Sequence, residues 1–140
     1  MYAAVASRGD ISFAVGMLSR YLDKPTKHLW SVAMRVLRYL AGTATFGPVY
    51  SDAPSYGVEA FSDSDWSGCQ ATRRSTSGSL IQFGGGSVIW MSQRQSCVSL
   101  SSMESEIVAC SETGKSCLWL TRLLNEIGYS VVPRLRVDNL

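Results

Sequence analysis

GSLIQFGGGSVIWM, residues 78–91, sets two short strand-forming runs, Gly78 to Phe83 and Ser87 to Met91, on either side of three consecutive glycines. Glycine adopts positive φ without a Cβ clash, so Gly84-Gly85-Gly86 reads as the turn of an antiparallel hairpin. Upstream, Val58 to Asp63 forms a further strand-like run. Downstream, SSMESEIVACSETGKSCLWLTRLLNEIG, residues 101–128, contains helix formers, no proline, and a glycine stop at Gly128. Arg134 to Val137 follows as a final short strand, ending at Asp138-Asn139. The predicted order is βββαβ, an α/β class with a mixed sheet.

Ahead of this unit, Asp10 precedes apolar residues at Ile11, Ala14, Val15, Leu18 and Leu22, a helical spacing opened by an N-cap residue and closed by Pro25. After Thr26 the pattern repeats through Leu29, Trp30, Ala33, Val36, Leu37 and Leu40 and stops at Gly42. The spacing predicts a helical hairpin over residues 10–41. Residues 43–56 are rich in Gly, Pro, Ser and Thr and read as a linker, so the expected division is 1–50 and 51–140. No internal repeat or low-complexity tract interrupts either part.

A chain of 140 residues and 15.3 kDa holds one ordinary domain, or part of one with a flanking unit. With 46% hydrophobic and 17% charged residues it can bury a core, and it contains no apolar run long enough for a membrane span and no signal pattern. Four cysteines without a Cys-x-x-Cys pair, and one histidine, His28, argue against zinc. Cys110 and Cys117 lie two turns apart on one helix, too far for a disulfide, so reduced structural thiols are expected.

The net charge of +2 conceals a division: six basic groups against two acids in residues 1–50, and seven against nine in residues 51–140. Basic groups attract phosphate backbones, whereas grouped carboxylates more often hold a cation. Lys27, His28, Arg35 and Arg38 on the second helix are read as a solvated outer face, with phosphate binding as the competing reading. On the long helix, Glu104 shares a polar face with Val108, Ser111, Lys115 and Arg122, and Ser101-Ser102-Met103-Glu104 fits a capping box. Glu106 instead falls on the stripe of Met103, Ala109, Cys110, Cys117, Leu120 and Leu124. An uncompensated carboxylate there costs several kcal/mol, so a basic partner, protonation or a metal ion must answer it. Asp63 and Asp65 after the first strand, and Asp138 after the last, are further acids at strand ends. Such carboxylates suit Mg²⁺ or Mn²⁺, and two ions about 3.5–4 Å apart would suit phosphodiester cleavage.

FSDSDWSGCQATRRSTSG (61–78), the stretch SQRQSCVSLSSMESE (92–106), LWLTRLLNEIG (118–128) and the terminal Val137-Asp138-Asn139 resemble the ribonuclease H region of copia-type LTR retrotransposon Pol polyproteins. DISFAVGMLSRYLDKPTKHLW (10–30) and RVLRYLAGT (35–43) resemble the C-terminal end of the reverse transcriptase that precedes it. Together these stretches span nearly the whole chain. The resemblance implies a ribonuclease H-like fold preceded by a helical remnant of the reverse transcriptase thumb or connection. It implies a Mg²⁺- or Mn²⁺-dependent endonuclease that cuts the RNA strand of RNA–DNA hybrids, with Asp63, Glu106 and Asp138 as catalytic residues and metal ligands. Asp65 is expected to be auxiliary or structural, and Trp66 a packing residue. Arg73, Arg74, Ser75, Thr76, Arg94 and Gln95 match loops expected to meet phosphates and sugar hydroxyls, a turn with solvated arginines being the alternative.

The family setting further implies the rest of a Pol polyprotein as partner, and a location in cytoplasmic virus-like particles or the nucleus. Two departures stand out: Arg8-Gly9-Asp10 replaces the usual Arg-Pro-Asp, and Ser105 replaces a common alanine. The sequence stops at Leu140, so the fifth strand, last helix and final acidic ligand of the family are expected to be missing. It has no Tyr-x-Asp-Asp, so DNA synthesis is not expected of it. A catalytically inactive, nucleic-acid-binding or structural remnant is the alternative function.

Overall fold

The computed structural model describes residues 1–51, 57–69 and 71–138; part of the expected linker and Asn139 lie outside them. The chain divides into two compact units, Met1–Pro48 and Val49–Leu140. None of the described helices is long and apolar enough to cross a membrane.

In the first unit, α1 (Tyr2–Ala6), which the sequence reading did not anticipate, leads through a 3-10 turn at Gly9–Ile11 into α2 (Ser12–Ser19). The 16-residue α3 (Lys27–Gly42) follows, its N-terminus capped by Thr26, whose hydroxyl accepts from Leu29 N. Asp10 does not cap α2, contrary to the sequence reading; α2 has no side-chain cap. The Asp10 carboxylate accepts instead from Arg8, 2.7 Å away, and from the Tyr39 hydroxyl at 2.8 Å. The Arg8 guanidinium, donating from two nitrogens, and the Tyr39 hydroxyl occupy the carboxylate oxygens that a cap would use. Arg8 also donates to Thr43 O and Thr43 Oγ1 and sits over the Tyr39 ring. This clasp ties the segment before α2 to the far end of α3, and the Arg8 bonds hold the Asp10 carboxyl down at about 2.

The second unit has the βββαβ order expected: β1 (Glu59–Asp65), β2 (Thr76–Phe83), β3 (Gly86–Arg94), α4 (Ser102–Glu126) and β4 (Arg134–Val137). The sheet order is β3-β2-β1-β4, with antiparallel pairing throughout except that β4 runs parallel to β1. Gly84 and Gly85 both take positive φ, and Phe83 pairs with Gly86. The turn is therefore a two-residue one, the form whose twist matches its strands, and β3 begins at Gly86 rather than Ser87. β2 and β3 also extend past the predicted ends, to Thr76 and Arg94, because their polar termini remain paired.

α4 crosses one face of the sheet. Its buried stripe is Ser105, Ala109, Thr113, Cys117, Leu120 and Leu124, spaced by three and four. The last three of these pack on Val58, Ala60 and Ile81, with Phe83, Val88, Ile89 and Val131 at the margin. Met103, expected on this stripe, is mostly exposed. At about 100° per residue it lies roughly 160° round from Ser105, outside the true centre of contact. The capping box forms with one change: Ser101 Oγ accepts from Glu104 N, while the Glu104 carboxylate reaches Leu100 N, one residue before the N-cap. At the other end Gly128 takes φ +95° and Tyr129 N bonds back to Leu124 O, closing the helix where predicted.

Candidate carboxylate site

β1 and β4 end side by side. Their last register pair is Ser62 with Val137, so Asp63 and Asp138 are the next residues along two neighbouring parallel strands. Both are exposed. Beyond that pair β4 has ended, and the Ser64 amide donates instead to Glu106 Oε1 at 3.3 Å. Glu106 thus reaches from α4 to the residue following Asp63. It is half-buried, and its second oxygen, Oε2, is buried without a hydrogen-bond partner. Sequence periodicity placed Glu106 on the inward side of α4. Its partial answer is a backbone amide rather than the basic group considered from sequence.

The three carboxylates do not share one face. Ala60 and Ser62 are buried toward α4, and the Ser64 hydroxyl donates to Ser105 Oγ at 2.9 Å, so even positions of β1 face the helix. By the two-residue period of a strand, Asp63 projects with Glu59 and Phe61 on the opposite face. Among the described residues no group of three or more His, Cys, Asp or Glu side chains is close enough to hold a metal ion. Asp63, Glu106 and Asp138 therefore ring the same end of β1 from different sides.

Asp65 is tied up locally. Its carboxylate accepts from Thr76 N, and a Cβ at Gly68 would run into it. Trp66 donates from its indole nitrogen to Ser99 O at 3.2 Å, joining the turn after β1 to the approach of α4.

Of the residues expected to contact nucleic acid, Arg73 is exposed, in a left-handed conformation with φ +55°, while Arg74 and Arg94 are half-buried. Ser75, Thr76 and Gln95, expected to meet nucleic acid, are all buried. Ser75 Oγ accepts from Ser67 N, and Ser75 O accepts from Gln95 N. Gln95, 2% exposed, donates from Nε2 to Ser77 Oγ and Ser105 O and accepts from Ser99 Oγ. A side chain with its polar atoms spent on buried partners cannot also meet phosphate. Sequence reading placed Gln95 in a loop because Arg94 and Ser96 flank it; only the packing of α4 over that loop buries it.

Cys69, expected from sequence to be a reduced structural thiol, is buried but has an acidic thiol. Hydrogen bonds from Thr72, and then the Arg94 guanidinium, hold its thiol down at about 6 against the opposing effect of burial. Arg94 Nη1 lies 3.8 Å from the sulfur. All four cysteines are free, as expected.

The chain is 41% identical over 133 residues to the Pol polyprotein of transposon TNT 1-94 from Nicotiana tabacum, an overlap of 91% of the chain and 10% of that protein. The Pol polyprotein of transposon RE2 from Arabidopsis thaliana is 36% identical over 135 residues. The chain belongs to the copia-type retrotransposon Pol polyproteins. This Pol-family chain spans about a tenth of the length of those polyproteins. It is also 43% identical over 121 residues to a protein named secreted RxLR effector protein 161 from Plasmopara viticola, covering 86% of the chain and 85% of that protein. No family model and no solved structure matches it.

Proposed function

We propose that the second unit of this Pol-family chain is a ribonuclease H-like module that hydrolyses the RNA strand of RNA–DNA hybrids, and that the first unit is the tail of a reverse transcriptase. The observation carrying this reading is Glu106: a carboxylate on the inward side of α4, one oxygen fixed by the amide next to Asp63, the other buried and unpartnered. A buried carboxylate oxygen with no donor is costly unless a cation meets it. The donor set of Glu106, Asp63 and Asp138 is all carboxylate oxygen, the chemistry that suits Mg²⁺ or Mn²⁺. A divalent ion would be held there only with the three side chains drawn together, and would then supply Lewis-acid stabilisation of phosphate and an acidified water. Ser64 N orients Glu106, β1 and β4 bring Asp63 and Asp138 to adjacent strand ends, and exposed Arg73 offers a guanidinium to the nucleic-acid backbone.

The test is cleavage of an end-labelled RNA–DNA hybrid by the full chain with Mg²⁺, beside Glu106→Gln. Activity abolished by that conservative change supports the reading; undiminished activity refutes it. A non-catalytic remnant is the second reading, favoured by the opposite-face placement of Asp63 and by a relative of similar span that bears an effector name. Calorimetric Mn²⁺ titration separates the two: the remnant binds hybrid with salt-dependent affinity but takes up no metal at a defined stoichiometry.

A further inference from the structure

Ser64 meets α4 through both of its polar hydrogens. Its amide donates to Glu106 Oε1 at 3.3 Å and its hydroxyl to Ser105 Oγ at 2.9 Å, two successive residues of the helix. The direction of the second bond is forced. A serine hydroxyl has one proton, and Ser105 spends its own on Ser102 O at 2.7 Å, a carbonyl that can only accept, so toward Ser64 it is itself the acceptor. Ser105 cannot turn away. It is fully buried, and Gln95 Nε2 donates both to its carbonyl, at 2.9 Å, and to Ser77 Oγ, at 3.0 Å. Ser77 is the β2 residue paired with Ser64, so the strand pair and Gln95 close a ring with Ser105. Glu106, the next residue of the helix, receives only the Ser64 amide, and its Oε2 stays buried with no donor.

We propose that Ser105 is a positioning residue: by accepting the Ser64 hydroxyl proton it holds that hydroxyl away from Glu106, so that Oε2 keeps no protein donor. A hydroxyl released from Ser105 belongs to the residue whose amide already holds the carboxylate, and a charged, buried oxygen without a donor outcompetes neutral acceptors for it. Such a bond satisfies the oxygen and has to be broken before a cation takes its place. That the oxygen is kept bare for a divalent ion rests on the ribonuclease reading; the commitment of the Ser64 proton to Ser105 does not.

Ser64→Ala and Ser105→Ala, singly and together in the full chain, test this. Ser64→Ala is expected to lower the urea midpoint by about 0.5–1 M in the wild-type background and by at least as much in Ser105→Ala, where the hydroxyl has moved to Glu106; adding Glu106→Ala to the latter removes the effect. In calorimetric Mn²⁺ titration Ser105→Ala binds about tenfold more weakly than wild type, and the double variant, with no hydroxyl left to donate, returns to the wild-type affinity. A serine with a merely structural role gives the opposite order, the double variant being the weakest. Far-UV circular dichroism establishes that each variant is folded. Should the wild-type chain and every variant take up no Mn²⁺, the ribonuclease reading fails and the urea series decides the proposal on its own. The proposal is overturned if Ser64→Ala costs nothing in the Ser105→Ala background, if that cost persists with Glu106→Ala present, or if the double variant binds Mn²⁺ no better than Ser105→Ala.

Discussion

Replacing Gln95 with alanine separates a buried strut from a nucleic-acid contact. The wild-type side chain makes three hydrogen bonds of 2.9–3.0 Å, two donated to Ser77 Oγ and Ser105 O and one accepted from Ser99 Oγ. Each is worth about 1 kcal/mol net, and their buried partners would lose a bond at a site that water reaches poorly. The methylene carbon removed adds roughly 1 kcal/mol, so Gln95→Ala should cost about 3–4 kcal/mol. For a unit of this size that is a fall in melting temperature of at least about 12 °C. Urea unfolding of the full chain, followed by tryptophan fluorescence, measures it; Trp66, Trp90 and Trp119 all report on the second unit. Hybrid affinity measured well below the melting transition should be unchanged. An unfolding free energy within about 0.5 kcal/mol of wild type would refute the reasoning, and loss of hybrid affinity without loss of stability would return Gln95 to the binding surface.

The Arg8–Asp10 clasp makes the first unit acid-sensitive. Because Asp10 titrates at about 2 rather than 3.8, its contribution is complete above the unfolded value and is lost as pH falls from about 4 toward 2. With the side chain 36% exposed, screening reduces this to about 1 kcal/mol, and Asp10→Asn should abolish the pH dependence of helicity seen by circular dichroism. The Cys69 thiol should ionise with a midpoint near 6, read by its ultraviolet thiolate absorbance; Thr72→Val should raise that midpoint more than Arg94→Gln. Ile81, fully buried at the centre of the core, should cost about 2–5 kcal/mol on replacement by alanine in the same urea assay.

Periodicity and turn chemistry made the second unit legible. The hairpin needed only adjacent glycines, and α4 needed only a spacing of three and four between a serine cap and Gly128, since such signals act between residues close in sequence. Asp10 shows where local reading ends: its capping geometry was available, but Arg8 and Tyr39, the latter brought from 29 residues away, outbid it. Ser75, Thr76 and Gln95 carry the residue types of a binding loop, and nothing near them in sequence announces that they are buried.

The candidate site divides along the same line. Sequence alone determined that Glu106 lies on the inward side of its helix, because helical angle depends only on residue count. It could not determine where Asp63 points. In Ser62-Asp63-Ser64-Asp65 both alternating sets are polar, so no hydrophobic contrast marks the buried face. Only the docking of α4 onto Ser62 and Ser64, and the arrival of β4 beside β1, decided on which side of the strand each acid stands.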